Sequence, residues 1–214
     1  MTQKKRETAS ARRGRPRAYD AEAAMKRATE TFWRGGYSGT SLDEVAAATG
    51  MNPPSLYAAF GNKRAIYLEA LARYWQRSLA ATRKALAKDR PLRESLMLTY
   101  EAALSMYFSG EGRALGCFVI GTAVAEAVDD PDIRRSVAAG LHAIDADFEA
   151  RLGTARERGE INHDADPAAL AVLASATMHT IAIRARAGVP RSELREVARK
   201  AVEVICGCAD RSRE

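Results

Sequence analysis

The side chains able to do covalent or metal chemistry are few and scattered. Three histidines (His142, His163, His179) and three cysteines (Cys117, Cys206, Cys208) show no spacing of the kind that holds zinc. Cys206-Gly-Cys208 brings two thiols together, but no third cysteine or nearby histidine completes a site, so the pair reads as structural and neither metal nor cofactor is expected. No nucleophile–base–acid order, phosphate-cradling glycine loop or set of paired carboxylates stands out, which argues against an enzyme. Cys117 alone invites a reactive role. It begins the apolar run "CFVIGTAVAEAV", where a helix N-terminus would lower the thiol pKa and burial would make the same thiol inert.

What the sequence does concentrate is positive charge. Residues 1–20 carry seven lysines and arginines against Glu7 and Asp20, a net of +5 out of +6 for the 214-residue chain. A basic arm on a near-neutral body points to a polyanionic partner. Within it "RRGRPR", residues 12–17, resembles an AT-hook core, in which Gly-Arg-Pro-Arg lies extended in a narrow A·T-rich minor groove. Pro16 disfavours helix at Arg15, and Arg13, Arg15 and Arg17 are the candidate groove contacts.

The elements that must carry such a partner are short. Asp20 is a plausible N-cap for a first helix that ends at Gly35-Gly36. In "TSLDEVAAATGMNPPSLYAAFGNK", residues 40–63, Thr40 or Ser41 can cap a second helix, with Glu44 completing a capping box and Gly50 ending it. Asn52 caps a third helix whose first residue is Pro53, and Asn62 caps a fourth after Gly61. Helices of two turns are unstable alone, so Leu42, Val45, Leu56 and Phe60 are expected to pack them together. A wheel of the third helix places Leu56, Ala59 and Phe60 on one side and Pro54, Ser55, Tyr57 and Ala58 on the other. The outward side is small and uncharged, as a helix approaching base edges in the major groove requires.

Beyond residue 63 the pattern stays helical, with no strand-like alternation: a long linking helix, then helices near 91–108, 114–128, 131–157, 167–187 and 190–206. The expected architecture is all-α, about nine helices. A flexible basic arm (1–18) and a three-helix helix-turn-helix domain (19–66) precede a larger effector-binding and dimerisation bundle (67–210). The charged N-terminus lacks the apolar stretch of a signal peptide, the apolar runs fall short of a membrane span, and the odd cysteine count fits a reducing compartment, so a cytoplasmic location is expected.

The run "GYSGTSLDEVAAATGMNPPSLYAAFGNKRAIYLEAL" resembles the DNA-binding domain of the TetR family of one-component bacterial regulators, through Gly36-Tyr37, Thr40, Leu42, Val45-Ala46, Gly50, Ser55-Leu56-Tyr57, Phe60 and Lys63. The resemblance implies a repressor that binds a palindromic operator in double-stranded DNA as a homodimer and is released by a small molecule or reactive species. It places Thr40, Tyr57 and Lys63 at phosphates, and Asn52, Pro53, Pro54, Ser55 and Ala58 toward the groove. Ala59 stands where many relatives carry His or Tyr, so direct base readout is expected to be weak, with the arm supplying part of the specificity. The last two helices are the implied dimer interface. The bundle would enclose the effector, with Trp75, Tyr100, Tyr107, Cys117, Phe118, His142, Phe148, Met178 and His179 as candidate liners. Cys117 with the Asp-Pro turn after it resembles a subgroup in which some members respond to electrophiles or oxidants. The competing reading is an architectural A·T-rich DNA-binding protein without an effector, which would use the arm but not a large apolar bundle.

Overall fold

The computed structural model describes residues 20–87, 89–110 and 112–207, so the arm with Arg13, Arg15 and Arg17 lies outside the described residues. Three short helices come first: α1 (Ala21–Gly35), α2 (Leu42–Thr49) and α3 (Pro53–Phe60). The long α4 (Lys63–Ala85) leads into α5 (Leu92–Tyr107), α6 (Pro131–Glu157), α7 (Pro167–Arg186) and α8 (Arg191–Ile205). No strand occurs among the described residues, and the all-α architecture stands.

The ends of these helices follow from local chemistry. Asp20 accepts from the amides of Glu22 and Ala23, Ser41 and Glu44 form a reciprocal capping box, and Asn52 and Asn62 accept from Ser55 and Ala65. Pro131 and Pro167 occupy first-turn positions, where the missing N–H leaves nothing unsatisfied. Gly50 closes α2 at φ +69°, a left-handed conformation that returns two α2 carbonyls to hydrogen bonds and turns the chain toward α3.

Residues 114–128 depart from the expected single α-helix. The chain is irregular to Cys117, forms a π-helical turn at Val119–Ala123, and ends in a 3₁₀ turn at Glu126–Val128. Two causes are visible. The run is rich in β-branched residues, which fit an α-helix poorly, and the Thr122 hydroxyl donates to the Phe118 carbonyl four residues back. Tertiary contacts then hold the wider turn: Tyr67 and Thr122 hydroxyls lie 2.8 Å apart, and the Arg186 guanidinium covers Gly121 so closely that an added Cβ would sit 2.6 Å from it.

One continuous apolar core joins the reading helices to the bundle. Phe32 and Trp33 of α1, Tyr67 and Tyr74 of α4, and Phe118 form a chain of edge-to-face and tilted ring contacts with centroids 5.3–5.8 Å apart. Farther along α4, Trp75 lies directly on the backbone of α6 at Gly140, where a Cβ would come within 2.1 Å of the indole. Among the described helices, α7 alone is long and apolar enough to cross a membrane, by length and composition only. Its apolar residues face two ways: an inner face packs on α6 and α8, and an outer face stays exposed.

Candidate nucleic-acid interface

On α3 only Leu56 is fully buried, and Phe60 is partly so. Leu56 and Val45, both at 0% exposure, are the pin between α2 and α3. Asn52, Pro53, Pro54, Ser55, Tyr57 and Ala58 are all exposed, so the face carries no charged side chain and only one bulky one, the 52%-exposed Tyr57. Ala59 is exposed as well, correcting its assignment to the inner side of the wheel: an eight-residue helix pinned by one leucine buries a narrower arc than a full amphipathic stripe.

Two of the three expected phosphate anchors are placed where a backbone could reach them. Tyr57 stands out from α3, and Lys63 is the first residue of α4, its ammonium 4.4 Å from the centroid of Tyr37. That cation–π contact holds Lys63 at a helix N-terminus, where the dipole adds to the positive potential. Tyr37 is itself braced by Tyr67, with centroids 4.8 Å apart. Its own hydroxyl is driven up in pKa by burial.

Thr40 is different. It is 3% exposed and its hydroxyl donates to the Gly36 carbonyl at 2.7 Å, while Ser41, not Thr40, caps α2. The single hydroxyl proton is thus used in closing the α1–α2 turn.

Three polar links fix the reading helices to the bundle, and the sequence pattern did not single them out. Arg64, next to Lys63, donates from Nε to Asp130 at 2.6 Å and from Nη2 to Asp130 at 2.9 Å, and also reaches Asp132. Hydrogen bonding to Arg64 holds the Asp130 carboxyl far below the usual range, helped by the amides of Ile133 and Asp132 that it caps. Ser38 in the α1–α2 turn donates its hydroxyl to Glu126 at 2.8 Å. Arg186, at the end of α7, donates to the carbonyls of Leu115 at 3.1 Å and Trp33 at 3.3 Å. All of these partners lie far apart in sequence, so no local spacing marks them.

The candidate effector residues separate into groups. Tyr100, Phe118 and Phe148 are fully buried in the core, Tyr100 donating to the Ala174 carbonyl at 3.1 Å. Tyr107 and Met178 line a cavity between α4, α5 and α7 of only about 10 Å³. Trp75 packs on Gly140, its Nε1 without a hydrogen-bond partner among the described residues. His179 is half-buried, and burial lowers its pKa against the opposing pull of Asp145. His142 is exposed on α6 and does not face the interior, a correction that follows from helical phase, since Ile144 and Phe148 take the inner side. Cys117 leans to the inert of the two readings its position left open. Burial raises its pKa, outweighing the Tyr74 hydroxyl 3.2 Å from its sulfur and the amides of Ile120 and Val119. No group of three or more metal-ligating side chains occurs among the described residues.

Residues 24–70 match the model for bacterial regulatory proteins of the tetR family, and residues 94–206 match the tetracyclin repressor-like C-terminal domain. The chain belongs to the TetR family. It is a transcriptional regulator and not an enzyme. It is 31% identical over 186 residues to the HTH-type transcriptional repressor ComR of Escherichia coli, covering 87% of this chain and 89% of that one. It is 36% identical over 107 residues to the E. coli repressor BdcR, covering 50% and 54% of the two chains. Among solved structures, a cysteine mutant of the TetR-family regulator CifR complexed with double-strand operator DNA is 30% identical, with a TM-score of 0.76 over 88% of this chain and 98% of that one.

Proposed function

We propose that this TetR-family regulator is a ligand-responsive repressor that binds a palindromic operator as a homodimer. The observation that carries the DNA-binding part is the uncharged, exposed outer face of α3, flanked by Tyr57 on that helix and Lys63 at the start of the next. Asn52, Pro53, Pro54, Ser55 and Ala58 face the groove, Tyr57 and Lys63 engage phosphates, and Arg13, Arg15 and Arg17 enter an adjacent A·T-rich minor groove. The solved CifR complex with operator DNA, 30% identical, supports this assignment. The working boundaries are residues 1–18 for the arm, 19–66 for DNA binding, and 67–210 for effector binding and dimerisation, and the cytoplasm is where such a protein meets DNA.

The dimer reading rests on the outer faces of the last two helices. Val172, Leu173 and Ile183 of α7 are 52–56% exposed and Val204 of α8 is 69% exposed, an apolar surface of the kind a symmetric four-helix interface covers. A small molecule suits the structure better than a reactive species as the releasing signal, because Cys117 is a partly buried thiol, hydrogen-bonded by Tyr74, whose pKa is raised.

The test is a footprint on the DNA flanking the gene, with affinity then followed by fluorescence anisotropy. The expected result is protection of one palindrome, loss of dimerisation and operator binding together in Ile183→Asp, and weakening by about ten-fold in Tyr57→Phe, the size of one hydrogen bond to a charged oxygen. Broad protection without a palindrome would show an architectural protein instead.

A further inference from the structure

We propose that Arg186 is a positioning residue for operator binding, tying the end of α7 to the end of α1 and so setting how far apart the two sets of reading helices stand in the dimer. The inference rests on the dimer reading above and adds to it a residue that lies outside the α3 face.

Arg186 is the last residue of α7. Its Nη1 donates to the carbonyl of Leu115 at 3.1 Å and to that of Trp33 at 3.3 Å. Trp33 stands in the last turn of α1, among the four closing carbonyls that have no amide of the helix to accept from. A cation placed there also meets the negative dipole ends of α1 and of α7 itself. The seat is shaped for this side chain. A Cβ added at Gly121 would lie 2.6 Å from Nη1, and one added at Gly116, where φ is +67°, would lie 2.4 Å from the Ala182 carbonyl oxygen and 3.3 Å from the Arg186 Cβ. Residues 115–121 thus close on the end of α7 at two glycines, and the guanidinium passes over them to α1. The ring contacts of Trp33 with Tyr74 and Phe118 hold α1 to the bundle without fixing its direction, whereas a charged donor shared between two carbonyls does fix it. Ile183, on the outer face of α7, lies three residues before Arg186, about one helical turn. The helix proposed to meet the partner is therefore the one that holds α1. Two-fold dimers read their half-sites at one separation, so loosening this tie changes which spacing is accepted more than how well a single half-site is held.

Arg186→Met keeps an apolar stem and removes the donors, and Gly121→Ala keeps Arg186 but crowds its guanidinium. Both are compared with the wild type by size-exclusion chromatography, by thermal melts, and by anisotropy titrations on the footprinted operator and on versions with one base pair added or removed between the half-sites. The expected result is a persisting dimer, affinity for the natural spacing lower by about five- to ten-fold, and a preference for that spacing narrowed by a similar factor in both variants. A merely stabilising residue would instead lower the melting temperature and weaken all spacings alike; that result, a dissociated dimer, or unchanged affinity and preference overturns the proposal. Amide hydrogen exchange over residues 33–40 is followed in the same proteins without DNA and is expected to quicken in Arg186→Met; exchange at the wild-type rate also overturns it. If the wild type binds no palindrome, the repressor reading fails while the exchange still decides whether Arg186 holds α1.

Discussion

Arg64, one residue past Lys63, grips Asp130, the residue that caps α6: its Nε lies 2.6 Å from one carboxylate oxygen and its Nη2 2.9 Å from the other. The start of the linking helix and the start of the longest bundle helix are thereby one unit. If this fork sets the position of Lys63, Arg64→Ala and Asp130→Asn should each weaken operator binding several-fold, and the double variant should be no weaker than either alone. Anisotropy titrations of the four proteins form the cycle, and strictly additive losses would show that the two residues act separately.

Asn52 has two roles that substitution can separate. Its side chain accepts the Ser55 amide at 2.8 Å, and it is exposed on the face proposed to enter the groove. Asn52→Ala should destabilise the protein by about 1 kcal/mol, the usual worth of an N-cap, and lower operator affinity as well. Asn52→Asp should keep the cap, preserve thermal stability and still lose affinity, because it brings a carboxylate to the phosphates. Thermal melts and anisotropy on the same samples make the comparison.

Gly140 is a packing requirement rather than a flexible joint. An added Cβ would meet the Trp75 ring at 2.1 Å, and the overlap involves a rigid indole in the core. Gly140→Ala should therefore cost about 1–3 kcal/mol in urea unfolding and shift the Trp75 emission, despite alanine's better helix propensity. A neutral or stabilising outcome would mean that the indole has another place to go.

His179 gives the stability curve a sign. Its folded pKa lies below the ordinary value because burial disfavours the charged ring, so below about pH 6.5 the unfolded chain binds the extra proton more readily. Stability should be level above that pH and fall on acidification toward pH 5, and His179→Gln should flatten this part of the profile. Melting temperatures across the range in both proteins test it; parallel curves would assign the pH dependence elsewhere.

The features legible in the sequence are those whose causes are local. Asp20, Ser41 with Glu44, Asn52 and Asn62 each announce a helix start because the capping side chain and the amide it accepts are at most three residues apart. The helix-turn-helix stretch was legible for the same reason: its turn glycine and its caps are packed into two dozen residues. Residues 114–128 were not, since their conformation depends on Arg186 lying against Gly121 and Tyr67 meeting Thr122, partners 65 and 55 positions away. Thr40 and Ser41 are equally good caps on paper, and only the fold shows that the Thr40 hydroxyl is turned back to Gly36. His142 and Ala59 were misplaced by helical phase, which depends on which residue of a face meets its neighbour first. Cys117 was legible as a thiol near a helix start, but the burial that raises its pKa depends on tertiary packing.

α4 carries two residues on one rigid rod: Trp75 seated against α6, and, twelve residues earlier, Lys63, the proposed phosphate anchor. At about 1.5 Å per residue that separation is a lever of about 18 Å, so pivoting by about 5° at the indole swings the ammonium through about 1.6 Å. A displacement of that size is enough to break a hydrogen bond to a phosphate, and the matching end of a second copy would swing oppositely across a two-fold axis. Spacing between two half-sites would thus be sensitive to the packing of a tryptophan about 18 Å from the proposed phosphate anchor.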